Sequence, residues 1–188
     1  RSCYCLVVHD LARRLSQMCL RDGLHTLPFR LAVFDTGWRE AYGGRDADGR
    51  PTETLSAPFD PPPAQLLRNA SLGARVPLIE QAREWVDSAQ QLVRRGTVLA
   101  IDYGVPLTAE LAQRPWRDWL RTYRGNERGE HYLSTPGSQD ITTDIPFDQL
   151  PEPDALRSQA QFLQPVSYTH LRAHLPVLDL LCRLLPPK

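Results

Sequence analysis

Hydrophobic positions change their period several times along this 188-residue chain. In PFRLAVFDTGWREAY, residues 28–42, Phe29, Leu31 and Val33 alternate with Arg30 and Ala32. Asp35-Thr36-Gly37 then interrupts, and Trp38 and Tyr42 resume. Alternation on both sides of a turn signal predicts a β-hairpin. Residues 43–63, with Gly43-Gly44, Asp48-Gly49, Pro58 and the run Pro61 to Pro63, predict a loop or a weak second hairpin. From Leu78 the period lengthens: Leu78, Ile79, Ala82, Trp85, Val86, Ala89, Leu92 and Val93 share one helical face. A helix is therefore expected over 77–95, with Pro77 in its first turn, Glu80 and Glu84 near its positive end and Arg94-Arg95 near its negative end. Gly96 suits the left-handed position after it. The run Thr97–Ile101 is apolar on both faces, which predicts a strand covered by helices on both sides. Helix, glycine and apolar strand in succession point to an α/β fold.

Further along, Leu111, Pro115, Trp116 and Trp119 predict helix over 108–119 with a break before Pro115. WLRTYR reads as extended and 125–138 as a polar loop. DITTDIPFDQL reads as a short strand followed by a turn or helix start, with Asp148 as a cap. DALRSQAQFL, residues 154–163, reads as helix. At the front, Cys5–Val8 suggests a strand stub and Leu11–Leu20 a short helix.

Composition removes several function classes. Twenty-two basic residues balance 22 acidic ones, so no bulk attraction to nucleic acid or anionic membrane is expected. No run of 18 apolar residues is present to span a bilayer, and no leader pattern is readable at the front. The four cysteines, Cys3, Cys5, Cys19 and Cys182, leave the middle of the chain unstapled. That argues against a disulfide framework and for a reducing, cytoplasmic setting. One lysine against 21 arginines suggests a GC-rich, bacterial genome.

Four groups of residues carry candidate chemistry. Asp102-Tyr103-Gly104 closes the apolar strand at its carboxyl end, where open α/β sheets bind ligands; a plain turn uses the same residues. Arg114, Arg117, Arg121, Arg124 and Arg128 lie among Trp116, Trp119, Tyr123 and Tyr132. Three acids temper these five arginines, so a solvated, salt-bridged surface competes with a binding face and a nucleic-acid site ranks last. GSQDITTD gathers Gln139, Asp140, Thr142 and Asp144 on one loop, as substrate contacts or as turn chemistry. His170 and His174 are spaced for one helical face but lack the H-E-x-x-H pattern, and no metal site is assigned. No glycine-rich dinucleotide turn follows a strand anywhere.

The segments LPFRLAVFDTGWREAY, VPLIEQAREWVDSAQQLVRRGTVLAIDYG, RPWRDWLRTYRGNERGEHYLSTPGSQDITTDIPFDQL and DALRSQAQFLQ together resemble the MidA-type family of S-adenosylmethionine-dependent methyltransferases. A mitochondrial relative in that family assists respiratory complex I assembly by methylating an arginine. The resemblance spans about Leu24 to Gln164 and implies an incomplete Rossmann-like class I methyltransferase sheet, later strands only, with a β-hairpin insertion. Thr97–Ile101 would be its fifth strand. It implies S-adenosylmethionine as cofactor of the parent protein. The family's glycine-rich loop is missing here, so the fragment itself is not expected to bind the cofactor or to be active alone. It implies a protein substrate, such as a respiratory-complex subunit. Asp102, Asp140 and Asp144 are then the candidate acids that orient the substrate and accept its proton. Tyr103, Arg121, Tyr123, Arg124, Gln139 and Thr142 are the candidate substrate contacts. The family's Asn-Glu-x-x-Asp-x-x-Pro segment corresponds here to Arg21, Asp22, His25 and Pro28, and only Pro28 agrees.

Residues 1–23 and 165–188 resemble translated sequencing-adapter read-through more than the family and are expected to be a non-native or disordered head and a non-native tail. All four cysteines fall within them. The competing expectation is a non-catalytic assembly module that uses segment 114–131 as its partner surface.

Overall fold

The computed structural model describes residues 3–10, 23–125 and 127–163. Strand β1 (Cys3–Asp10) comes first, and a 3-10 turn, Leu24–Thr26, leads into β2 (Arg30–Phe34), with a second 3-10 turn later at Phe147–Gln149. Strands β3 (Trp38–Arg45), β4 (Pro51–Pro58) and β5 (Arg75–Leu78) follow, then helix α1 (Glu80–Leu92) and strand β6 (Gly96–Val105). Helices α2 (Thr108–Ala112) and α3 (Trp116–Trp119) lead to β7 (Leu120–Arg124) and β8 (Glu127–Arg128). Strands β9 (Asp140–Thr143), β10 (Ile145–Pro146) and β11 (Ala155–Ser158) complete the order.

These strands form three sheets, ordered β4-β3-β2-β5, β10-β6-β1-β11 and β8-β7-β9. The expected hairpin is β2–β3, with Leu31 opposite Ala41 and Phe34 opposite Trp38. The glycine- and proline-rich stretch after it is a second, regular hairpin. Its turn is tied by Asp46, whose carboxylate accepts the Asp48 and Arg50 N–H groups, and Gly49 takes a positive φ of 77° there. One core lies between the first sheet and α2–α3, built on Leu31, Trp38, Val76, Leu111 and Trp119. A second joins Leu24, Ala82, Val86, Ile145 and Phe147, and so clamps the 3-10 turn against α1 and β10.

Several expectations change. Pro77 lies in strand β5, opposite Leu31, and not in a first helical turn. β5 is an edge strand, where a residue without an N–H does least damage to the ladder. Helix α1 buries only Ala82 and Val86 fully, and Leu92, placed on the apolar face by its spacing, is 81% exposed. The α1 cap is Val93, and Gly96, with φ of 147°, opens the next strand instead of closing the helix. Residues 155–158 pair with β1 as a strand, and helix begins only at 159. Leu11–Leu20 and the His170–His174 pair lie outside the described residues.

The largest difference concerns β6. Its alternate residues Thr97, Leu99, Ile101 and Tyr103 are exposed, while Asp102, Gly104 and Val105 are buried. A continuous apolar run was expected to be covered on both faces. Among the described residues it is covered on one, and β6 pairs antiparallel with β1 and parallel with β10. The architecture is mixed α/β, with sheets predominating over short helices.

Candidate active site

Strand alternation turns Asp102 inward and Tyr103 outward at the end of β6. Asp102 is 3% exposed, yet its carboxylate is fully engaged. Oδ1 accepts the Tyr103 N–H at 2.8 Å and faces His25 Nδ1 at 2.7 Å, while Oδ2 accepts the His25 N–H at 3.0 Å. A carboxylate only accepts hydrogen bonds, so Nδ1 is the donor in this contact. The Tyr103 ring stands edge-on to the imidazole, 6.1 Å between centroids. The approach is close: a Cβ on Gly23 would lie 2.8 Å from Asp102 Oδ2 and 2.5 Å from the imidazole.

The 3-10 turn that carries His25 packs against both β6 and β9. It therefore joins two segments far apart in sequence: Asp102-Tyr103-Gly104 and the Asp140–Thr143 strand. β9 pairs with β7, placing Asp140 opposite Tyr123 and Thr142 opposite Arg121. Gln139 donates from Nε2 to the His131 and Tyr132 carbonyls, fixing the loop that precedes β9. Gln139, Asp140 and Ile141 line a cavity of about 570 Å³, with Leu27, Arg30 and Glu40 among its other walls. Its volume is that of a small-ligand pocket.

The remaining predicted residues are committed elsewhere. Arg121 and Asp144 form a buried ion pair, Nη2 to Oδ1 at 2.6 Å, and Arg121 Nη1 donates to the Asp118 carbonyl at 2.8 Å. Arg114 approaches the other Asp144 oxygen at 3.6 Å. Arg124 is exposed on the β7–β8 hairpin, opposite Glu127. The structure thus brings Asp102 and the β9 residues toward one turn and holds Asp144 with Arg121.

Three groups went unnoticed in the sequence. His25 stood out only as a departure from the family's acidic position. Glu40 is buried beside Arg30 and Tyr42, accepting Nε and Nη2 of Arg30 at 2.8 and 2.6 Å. The hydrogen bond from Arg30 holds its carboxyl below the ordinary value, against the opposing pull of burial. Glu53 accepts a two-pronged bond from Arg75, both arms 2.7 Å, and a bond from the Tyr132 hydroxyl. Burial pushes the Glu53 carboxyl up, but Arg75 and Tyr132 together hold it below the ordinary value. These partners lie 22 to 79 residues apart, so no local pattern announces them.

Among the described residues, none of the strands runs through a glycine-rich turn into a helix, the arrangement that cradles a nucleotide cofactor. Gly104, two residues beyond Asp102, serves another end. A Cβ there would sit 2.0 Å from the Ile145 carbonyl oxygen, so its bareness allows β10 to lie against β6. The described residues do not build a cofactor cradle. No cluster of three or more potential metal ligands occurs among the described residues, and no helix among them is long and apolar enough to cross a membrane.

The mixed α/β fold is similar to that of two solved structures. An uncharacterized superfamily protein from Burkholderia thailandensis superposes with a TM-score of 0.59 at 25% identity, over 73% of this chain and 40% of its own. A member of the same superfamily from that organism, solved bound to S-adenosyl-homocysteine, superposes with a TM-score of 0.57 at 24% identity, over 73% and 38%. The chain therefore spans about two fifths of the length of these structures. No significant match occurs among the curated proteins. Residues 18–166 match the model of a family described as "Putative S-adenosyl-L-methionine-dependent methyltransferase". The chain belongs to that S-adenosylmethionine-dependent family.

Proposed function

We propose that this chain is the later, acceptor-side part of a MidA-type protein methyltransferase, within a class I sheet whose earlier strands and cofactor-binding loop lie outside it. The substrate is an arginine side chain on a protein partner such as a respiratory-complex subunit, and the setting is bacterial and cytoplasmic. The observation that carries this reading is the meeting of Asp102, His25 and the Asp140 strand at one turn beside a cavity of about 570 Å³.

A guanidinium is a poor nucleophile while charged, so the site must orient it and take its proton. Asp102 orients the His25 ring through Nδ1, and in the neutral form of the ring Nε2 is the nitrogen that takes the proton. Asp140, at the cavity wall, pairs with the incoming cation. Tyr103, Tyr123, Gln139 and Thr142 shape its approach. The first half of the enzyme supplies the methyl donor; nothing in the described residues performs that step.

Two measurements separate the parts of this reading. Calorimetry of the present chain with S-adenosyl-homocysteine should give no binding heat; measurable binding would overturn the division of labour. The protein extended upstream to include the glycine-rich half should label an arginine in a partner protein, read by mass spectrometry. Asp102→Asn should abolish that label without changing cofactor binding. An extended protein that binds the cofactor and labels no protein overturns the function.

A further inference from the structure

We infer that the cleft between α3 and the β7–β8 hairpin is a binding site for a carboxylate side chain on an acidic segment of a partner protein. The inference does not rest on methyl transfer. The cleft has a volume of about 290 Å³ and is lined by Trp116, Arg117, Arg121, Arg128, Glu130 and His131, among others. That volume takes one or two side chains and is small for a nucleotide.

Its charges are unevenly satisfied. Arg121 is neutralised by Asp144 at 2.6 Å. Arg117 and Arg128 have no carboxylate within ion-pair distance among the described residues. They share the cleft with one acid, Glu130, whose carbonyl accepts the Thr122 hydroxyl. Two guanidiniums held in one concavity repel each other, and an incoming anion removes that repulsion.

Both are pre-positioned. The Arg117 guanidinium lies over the Trp116 ring, 4.4 Å from its centroid. Arg128 donates from Nη2 to the Arg117 carbonyl at 2.9 Å, leaving its other N–H groups for a ligand. Behind them the wall is rigid. Trp116 meets His131 and Tyr132 edge-on at 5.3 and 5.6 Å, and those two rings stack at 4.3 Å. The Tyr132 hydroxyl is anchored by Glu53 and Arg75. Burial and then Arg117 hold the His131 imidazole below its ordinary value, which favours the uncharged ring.

A planar fork of N–H donors beside a flat aromatic wall matches a carboxylate on a short apolar stem. Glu130 disfavours a dianion, and five arginines among three acids along 114–131 fall short of a phosphate-backbone track.

The test is fluorescence anisotropy of a fluorescein-labelled hexaglutamate peptide titrated with the full chain. Unlabelled oligo(dT) serves as competitor. Saturable binding is expected, weakened about tenfold or more by Arg117→Glu or Arg128→Glu. Arg68→Glu, a change at an exposed residue outside the cleft lining, should leave it unaltered. Circular dichroism verifies folding. If a reversal variant does not fold, Arg117→Lys and Arg128→Lys keep the charge, and a loss of affinity in them reads the planar fork itself. Absence of peptide binding by folded protein overturns the inference. So does equal weakening by Arg68→Glu, or tighter binding of oligo(dT) than of the peptide.

Discussion

Asp144 was a candidate acid, and its structural and chemical roles can be separated by stability. Replacing it with Asn leaves the Arg121 guanidinium, whose side chain is only 4% exposed, without its charge partner. Removing one member of a buried pair costs about 3–5 kcal/mol, because the survivor stays charged and desolvated. Arg121 keeps the Asp118 carbonyl at 2.8 Å, and the new amide oxygen can still accept, which sets the expectation at the lower end, about 3 kcal/mol. Removing the other member should cost less. After Arg121→Met, Asp144 still faces Arg114 at 3.6 Å, a half-exposed cation that can close on it. The double change Asp144→Leu with Arg121→Met leaves no buried charge and should recover most of the loss. Urea unfolding followed by far-ultraviolet circular dichroism reads all four proteins. With slopes of about 1–3 kcal/mol per molar urea, Asp144→Asn should lower the midpoint by about 1–3 M. A loss under about 1 kcal/mol in Asp144→Asn, together with complete loss of methyl transfer in the extended enzyme, would refute the reasoning and make Asp144 a reacting group.

Other expectations follow from the same geometry. Gln149→Leu orphans the Ile79 N–H and the Pro77 carbonyl, both bonded to the buried amide at 3.0 and 2.9 Å, and should cost about 2–5 kcal/mol by urea unfolding. Gly104→Ala drives a methyl onto the Ile145 carbonyl and should cost about 1–3 kcal/mol or more, read as a lowered melting temperature. The Glu40 carboxyl is held below its ordinary value of 4.5, so its contribution to stability is full above that value and is lost as pH falls through the lowered folded one. Glu40→Gln should therefore flatten the acid limb of the melting-temperature profile; an unchanged limb would show that other carboxylates govern it.

How much of this was legible depended on the range of each interaction. Phe29, Leu31 and Val33 announced β2, and the Asp35–Gly37 turn fixed its partner, because alternation and turn chemistry are local. Pro115 likewise separated α2 from α3 as expected. Pro77 misled, since a proline suits a helical first turn and an edge strand equally, and only the pairing with Leu31 distinguishes them. Ala155–Ser158 carries a helical period but takes its conformation from the distant β1. At the site, Asp102, Gln139 and Asp140 were visible as residue types, whereas the contact that joins them required the Leu24–Thr26 turn. His25 is 77 residues from Asp102, and no spacing rule reaches that far.

Gly104 is where β6 meets β10, residue against residue with Ile145. A joint this tight has no clearance. The two strands run parallel, so Asp102 and Asp144 both lie just before the contact, each two residues or fewer from it. Their separation is therefore gauged by two abutting backbones and not by side chains that can repack. Sequence drift in the cores above and below will move the walls of the cavity sooner than it moves that gauge.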